Sequence, residues 1–465
     1  MVSNFPLQDV LEVTWGRLIN LSENKKVSLS PSQICTDTRD IKKGDFFLAL
    51  KGKNFDGNDF VLEAYKKGAL GAIVSNPVLP LSNNFFLVQV NDTVRALQEI
   101  AKFYRHKLQI PLIGVTGSNG KTTVKELTAR ILSTHYRVFK SYGNVNNQIG
   151  VPLSILKITP CHQMAVLELG MNRSGEIKTL SRIVQPEIGI ITNVHSSHLG
   201  YLGNIADIAR AKAEIIPFLN RNKENYLILN KDDAWFDFFK KKATCKVLTF
   251  GIKSEAHLRA SNIKDEGKQI KFDISSYDGE KVSVNLSFPG LCNVYNVLAA
   301  SCAGVIFGLS LHRIKEAIES FLPPPLHYKV EQCGECNILN DCYNANPESM
   351  KSALWTLINL KGRKKIAILG DMLELGEYST SLHRSLGDFA ASLGIDALFT
   401  YGRFAADVAS AARKKGLKDC FSFEDKETLV KVLLSYIKRG DCLLVKGSRE
   451  TKMEDVISML KNQLE

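Results

Sequence analysis

A chain of 465 residues has room for roughly three domains at about 150 residues each. Its make-up, 45% hydrophobic and 23% charged with no long Ser, Gln or Pro tract, excludes a disordered or fibrous protein, and no apolar stretch reaches the ~18 residues of a membrane span. The 60 basic against 48 acidic side chains leave +12, which suits an anionic partner such as a nucleotide, a nucleic acid or a membrane face.

The start MVSNFPLQDVLEV has no basic flank followed by an apolar core, so a cytoplasmic protein is expected. Further along, the charged stretch Arg105 to Pro111 gives way to the apolar run Leu112 to Val115, which reads as a buried strand opening a second domain. That run leads into LIGVTGSNGKTT, with Val124, Leu127, Ile131 and Leu132 following at helical spacing. Strand, glycine turn and helix in this order make a phosphate cradle. Gly117 and Gly120 free the backbone to aim N–H groups at an anion on a helix N-terminus. Lys121 then reaches the outer phosphates, and Thr122 ligates Mg²⁺. The pattern departs from a Walker A loop at Val115, where a glycine is expected. Past a second apolar run, Met164 to Leu167, Glu168 stands at a strand end where a metal-binding carboxylate is placed.

Pro323-Pro324-Pro325 is too stiff for a helix interior and reads as a linker. Beyond it, Asn337 to Leu339, Ile366 to Leu369, Ala397 to Tyr401 and Cys442 to Val445 alternate with amphipathic stretches, a parallel α/β layout. Asn346, Pro347 and Glu348 are a cap, a first-turn proline and an early acid, so the loop DCYNANP sits at a strand's carboxyl end, where open α/β sheets bind ligands. Ten cysteines are scattered, and the close pair in CGEC, Cys333 and Cys336, lacks the second pair of a zinc site; inert thiols are expected. The expected fold is α/β in three domains: an N-terminal domain over 1–108, a P-loop domain with a mostly parallel sheet over 109–322, and a Rossmann-like domain over 323–465.

The loop T-G-S-N-G-K-T-T resembles that of the Mur ligase family and of the folylpolyglutamate synthases, and the likeness to the Mur ligases extends along the chain. TDTR at Thr36 to Arg39, with Lys43-Gly44-Asp45 and GKNFDGNDF at Gly52 to Phe60, resembles the module that holds the UDP end of the substrate, implying Arg39 as pyrophosphate partner and Thr38 as neutral donor. YGNVNNQIGVP resembles the family's loop after the ATP helix, implying Asn146 and Asn147 in substrate binding. IITNVHSSHL and ARAKAEI resemble its histidine and lysine segments, implying His198 as a metal ligand and Lys212 as a lysine able to carry CO₂ as a carbamate. That chemistry needs a neutral amine, so Lys212 must be desolvated or close to positive charge.

CNVYNVLAA resembles the segment whose second Asn, here Asn296, reads adenine, and Lys329 stands where the family commonly has an Arg facing the nucleotide. The resemblance implies nucleotide contacts by Gly117, Ser118, Asn119, Gly120, Lys121, Thr122, Thr123, Asn296, Lys329 and Asp341. It implies metal contacts by Thr122, Glu168, His198 and Lys212, and a direct part in catalysis for Lys121, His198 and Lys212. DCYNANPESM, GDMLELG and KGSR are similar to the member that joins D-alanyl-D-alanine to a UDP-muramyl tripeptide, implying substrate contacts by Tyr343, Asn344, Asn346 and Lys446. The family pattern is broken at His195 (usually Gly), Gly200 (an acid), Cys292 (a His) and Asn58 (a His).

The expectation is an ATP- and Mg²⁺-dependent amide ligase acting through an acyl phosphate. It is expected to be a monomer with UDP-N-acetylmuramoyl-tripeptide and D-alanyl-D-alanine as its partners, and no nucleic acid. A folylpolyglutamate synthase lacks a TDTR-type module, and a nucleic-acid motor calls for aromatic-basic interleaving that is not seen. A catalytically dead binder of UDP-sugars does not call for Lys121, Glu168, His198 and Lys212 together.

Overall fold

The computed structural model describes residues 5–19, 28–52, 55–76, 82, 84–197 and 199–464. His198 and residues 53 and 54 of the GKNFDGNDF stretch lie outside the described residues. The fold is α/β with mostly parallel strands, organised on N-terminal, central and C-terminal sheets.

The chain packs as two compact units. One comprises Met1–Gly114, Tyr136–Met171 and Gly175–Ile188, the other Val115–His135, Asn172–Ser174 and Gly189–Glu465. In the first, a five-stranded sheet has the order Arg17–Leu18, Phe86–Gln89, Gly71–Val74, Phe46–Leu48, Ile34–Cys35, parallel apart from its first pairing. Phe47, Phe85 and Leu87 fill its core. The helix Thr93–Lys107 follows, capped by the Asp92 carboxylate on the N–H groups of Val94 and Arg95. The charged stretch that begins at Arg105 is still helical as far as Lys107. Arg105 is buried and donates to the carbonyls of Val184, Leu108 and Gln185 and to Glu187, because a guanidinium can meet several acceptors at once when buried. The same unit holds the parallel pair Val138–Lys140 and Met164–Glu168.

The strands Leu112–Thr116 and Ile188–Ile191 begin in the first unit and end in the second. From them the second unit's sheet continues through Tyr226–Asn230, Lys246–Gly251 and Leu258–Asp265 and turns antiparallel at Ile270–Ser276 and Lys281–Leu286. Its C-terminal sheet has the order Lys329–Cys333, Cys336–Asn340, Cys442–Lys446, Lys365–Gly370, Ala397–Tyr401, Asp419–Phe423, parallel except for the first hairpin. The four apolar runs read as strands are its four inner strands. Cys333 and Cys336 face each other across that hairpin as buried free thiols. Among the described residues no helix is long and apolar enough to cross a membrane.

Candidate active site

The phosphate loop forms where the buried strand Leu112–Thr116 ends and the helix Lys121–Leu132 begins. Val115 is still inside the strand with its side chain in the core, so the turn starts at Gly117 and the Walker position has no turn to make. Gly117 and Gly120 have φ of +150° and +81°. A Cβ at Gly117 would run into Thr192 Oγ1, and one at Gly120 into Asn296 Oδ1. Both positions therefore require glycine on two counts, backbone conformation and close approach. Thr123, Val124, Leu127, Ile131 and Leu132 are buried and fix the helix behind the loop.

The segment after Ile191, read as a histidine segment, scaffolds the loop. Asn193 accepts the Ser118 N–H through its carbonyl (3.0 Å) and the Asn119 N–H through its side chain (2.9 Å). Thr192 Oγ1 and Asn193 Nδ2 donate to the Asn119 carbonyl at 2.6 and 3.2 Å. Ser118 Oγ accepts from the His195 N–H (2.9 Å) and from Ser197 Oγ (3.1 Å) and donates to the His195 carbonyl (3.0 Å). His195 thus serves through its main chain, and burial lowers the pKa of its imidazole. Thr192, Asn193 and Ser197 escape sequence reading because a polar residue in a loop gives no periodic signal. The Lys121 ammonium donates to the carbonyls of Gly117 (2.9 Å) and Ser118 (3.1 Å).

Lys212 closes the helix Ile205–Lys212 and is 1% exposed. Burial drives its pKa well below the usual lysine range, the charge of Lys121 pushes the same way, and Asp233 opposes them. Both conditions for a neutral amine are thereby met. Asp233 also accepts the N–H groups of Val194 and Trp235, each at 2.8 Å.

The DCYNANP loop lies in the same unit. Asn346 caps the helix Pro347–Asn359 on the Ser349 N–H (2.9 Å). Its amide also pairs reciprocally with that of Asn119 in the phosphate loop, at 2.6 and 3.4 Å. Asp341 and Lys446, which the resemblance gives separate roles, form one buried ion pair at 2.5 Å, with Lys446 Nζ also on the Asn344 carbonyl (2.7 Å). Tyr343 stacks on His327 with ring centroids 4.2 Å apart. Asn296 is buried against Gly120 and donates to Asn293 Oδ1 (3.1 Å). Lys329 stands exposed, 3.9 Å from Glu331.

GDMLELG is a fastened turn. The Asp371 carboxylate accepts the N–H groups of Arg403 and Phe404, Ser448 of KGSR accepts that of Leu373, and His383 Nε2 accepts that of Met372. Gly200 donates its N–H to the Glu374 carbonyl (2.9 Å), and a Cβ there would lie 2.8 Å from Gly376 N. Any side chain at position 200 would therefore require the facing loop to shift.

In the first unit, Glu168 is 2% exposed and accepts from Asn146 Nδ2 at 2.7 Å. Thr122 and Glu168 are each hard oxygen donors of the kind Mg²⁺ takes. Among the described residues no three His, Cys, Asp or Glu side chains cluster as a ready metal cage. Asn147 Oδ1 accepts the N–H groups of Ile149 and Gly150, so that oxygen is engaged in starting a helix. Arg39 is exposed and bound to Asp37, whose carboxyl it holds at about 2. Thr38 is buried, with its carbonyl on Lys67 Nζ. Asn58 bridges Asp56, Ser75 and Asn76, a structural role for the residue that replaces the family's histidine.

Three family models match consecutive stretches: "Mur ligase family, catalytic domain" over 32–105, "Mur ligase middle domain" over 115–304 and "Mur ligase, glutamate ligase domain" over 328–449. The chain is 34% identical to the UDP-N-acetylmuramoyl-tripeptide--D-alanyl-D-alanine ligase of Bacillus subtilis, over 98% of each chain. A crystal structure of MurF from Acinetobacter baumannii superposes with a TM-score of 0.90 at 31% identity, covering 99% of both chains. MurF ligase from Thermotoga maritima in complex with ADP does so with a TM-score of 0.82 at 28% identity, over 93% of this chain and 97% of that one. A shared phosphate loop, the three domains in order and a third of all residues in common along nearly the whole length lead to one conclusion: the chain belongs to the Mur ligase family.

Proposed function

We propose that this protein joins D-alanyl-D-alanine to UDP-N-acetylmuramoyl-tripeptide at the expense of ATP, forming ADP and phosphate, in the cytoplasmic synthesis of peptidoglycan precursors. The observation that carries the reading is the amide pair Asn119–Asn346, which ties the phosphate loop to the loop whose sequence is similar to that of the D-alanyl-D-alanine-adding relatives. Within the chain, the work divides over a UDP-binding domain at 1–108, an ATPase domain at 109–322 and a Rossmann-like domain at 323–465.

The tripeptide carboxylate attacks the γ-phosphorus of ATP, the bond to the β,γ-bridging oxygen breaks, and ADP leaves. The amine of the dipeptide then attacks the acyl phosphate, and inorganic phosphate departs with the former carboxylate oxygen. Lys121 transfers its ammonium from the loop carbonyls to the phosphoryl oxygens, and the loop N–H groups stabilise the charge that spreads there. Glu168, Thr122 and His198 offer ligands to Mg²⁺, which when bound neutralises phosphate charge. As a neutral amine, Lys212 takes up CO₂ with loss of a proton and becomes a carboxylate-like carbamate. Asn296 faces adenine, Lys446 with Asp341 shapes the floor beneath Tyr343 and Asn344, and Arg39 turns from Asp37 to the substrate's pyrophosphate. The test is which additive triggers ADP release from enzyme holding ATP and UDP-tripeptide. D-alanyl-D-alanine is expected to do so. Release with glutamate, with DNA or with no additive would overturn the reading.

A further inference from the structure

Sheet order brings the carboxyl ends of Tyr226–Asn230 and Lys246–Gly251 next to the edge that carries the phosphate loop and Asn193. There the Asp232 carboxylate gathers four donors from two chain segments. It accepts the N–H groups of Ile252 (2.6 Å), Lys253 (2.9 Å) and Ser254 (2.8 Å) and the phenol of Tyr295 (2.9 Å). Tyr295 directly precedes Asn296 in the helix Leu291–Ile306, and one residue is about 100° of helical turn. The phenol is thus anchored on one side of the first turns while the Asn296 amide is pressed against Gly120 on another. Asn296 is further held through Asn293, which donates to the Pro289 carbonyl at 2.7 Å.

We infer that Asp232 and Tyr295 are positioning residues for the base end of ATP: their hydrogen bond fixes the rotation of the helix that presents Asn296. This deepens the proposed reading of Asn296 as the adenine-facing amide and rests on it. A carboxylate already accepting four hydrogen bonds has little capacity left for a ligand of its own, and it is held at about 2, so it stays an anion throughout the working pH range. Charge-assisted bonds of this kind are the stronger and more directional ones. Rotation of the helix by even a small angle would carry the amide away from a base edge whose phosphate end is fixed separately by the loop.

The full-length enzyme is compared with Tyr295→Phe, which removes one hydroxyl and leaves three donors on Asp232, and with Asn296→Ala. Binding of ADP and of inorganic tripolyphosphate is titrated, and KM and kcat are measured for each substrate. Tyr295→Phe is expected to weaken ADP binding and raise the KM for ATP by roughly three- to tenfold, the scale of one hydrogen bond. Tripolyphosphate affinity, the KM for UDP-tripeptide and, within about twofold, kcat should hold. Unchanged ADP binding in Tyr295→Phe while Asn296→Ala weakens it overturns the inference alone. Equal weakening of ADP and tripolyphosphate overturns it too, since that is general loosening of the site. Unchanged ADP binding in Asn296→Ala overturns the adenine reading and the inference with it.

Discussion

Two lysines at the phosphate loop answer to different physics. Lys121 is a cation held on the loop's own carbonyls. Lys121→Ala should therefore cost on the order of a hundredfold or more in turnover while leaving UDP-tripeptide affinity largely unchanged, as phosphate release and ligand titration will show. Lys212 is buried beside that charge, and burial and the charge together lower its pKa well below the usual lysine range. If it works as a carbamate, Lys212→Ala should be nearly inactive, and formate or acetate should restore part of its activity by supplying the missing oxygens. Chloride at equal ionic strength should not. Full activity of Lys212→Ala without added acid returns the residue to a packing role.

At the scale of elements, the GDMLELG turn depends on one neutral imidazole. His383 is 1% exposed, accepts from the Met372 N–H at one ring nitrogen and meets the Ser379 carbonyl at the other. Burial lowers its pKa from the ordinary 6.5. Such a histidine protonates more readily unfolded than folded, so its stabilising share is complete above about pH 6.5 and falls away as the pH drops below that. Urea midpoints measured at about pH 8 and about pH 5.5 should differ more for the unmodified protein than for His383→Gln; equal differences would remove His383 from the account. The cap on Pro347–Asn359 is a second case. Asn346→Ala should lower stability by about 1 kcal/mol for the cap alone, whereas Asn346→Asp, which keeps an N-cap acceptor but loses the amide donor to Asn119, should recover most of the stability and little of the activity.

Much of this element layer was legible beforehand, for a physical reason. Leu112–Thr116 and the inner C-terminal strands are buried on both faces, so they appear as unbroken apolar runs. The edge strands Lys329–Cys333 and Asp419–Phe423 carry mixed, half-exposed side chains and leave no such trace. Within the site, glycine, capping asparagine and loop lysine follow from backbone chemistry. The partnership of Asp341 with Lys446, 105 residues apart, and the grip of Asn193 on the loop are tertiary facts that no local pattern encodes.

On the scale of the whole molecule, mass spectrometry of products from the lysine and the diaminopimelate forms of the tripeptide identifies the third residue that the substrate carries. The junction of Gly200 with Gly376 bears on how such a molecule can change. Every glycine codon lies one base from a codon for aspartate or glutamate, so single-base mutation regularly offers position 200 an acid. Here the offer is refused, because the loop from Glu374 to Gly376 fills the space where that side chain would begin. The two positions are consequently locked in epistasis: a side chain becomes admissible at position 200 only after the facing loop has withdrawn.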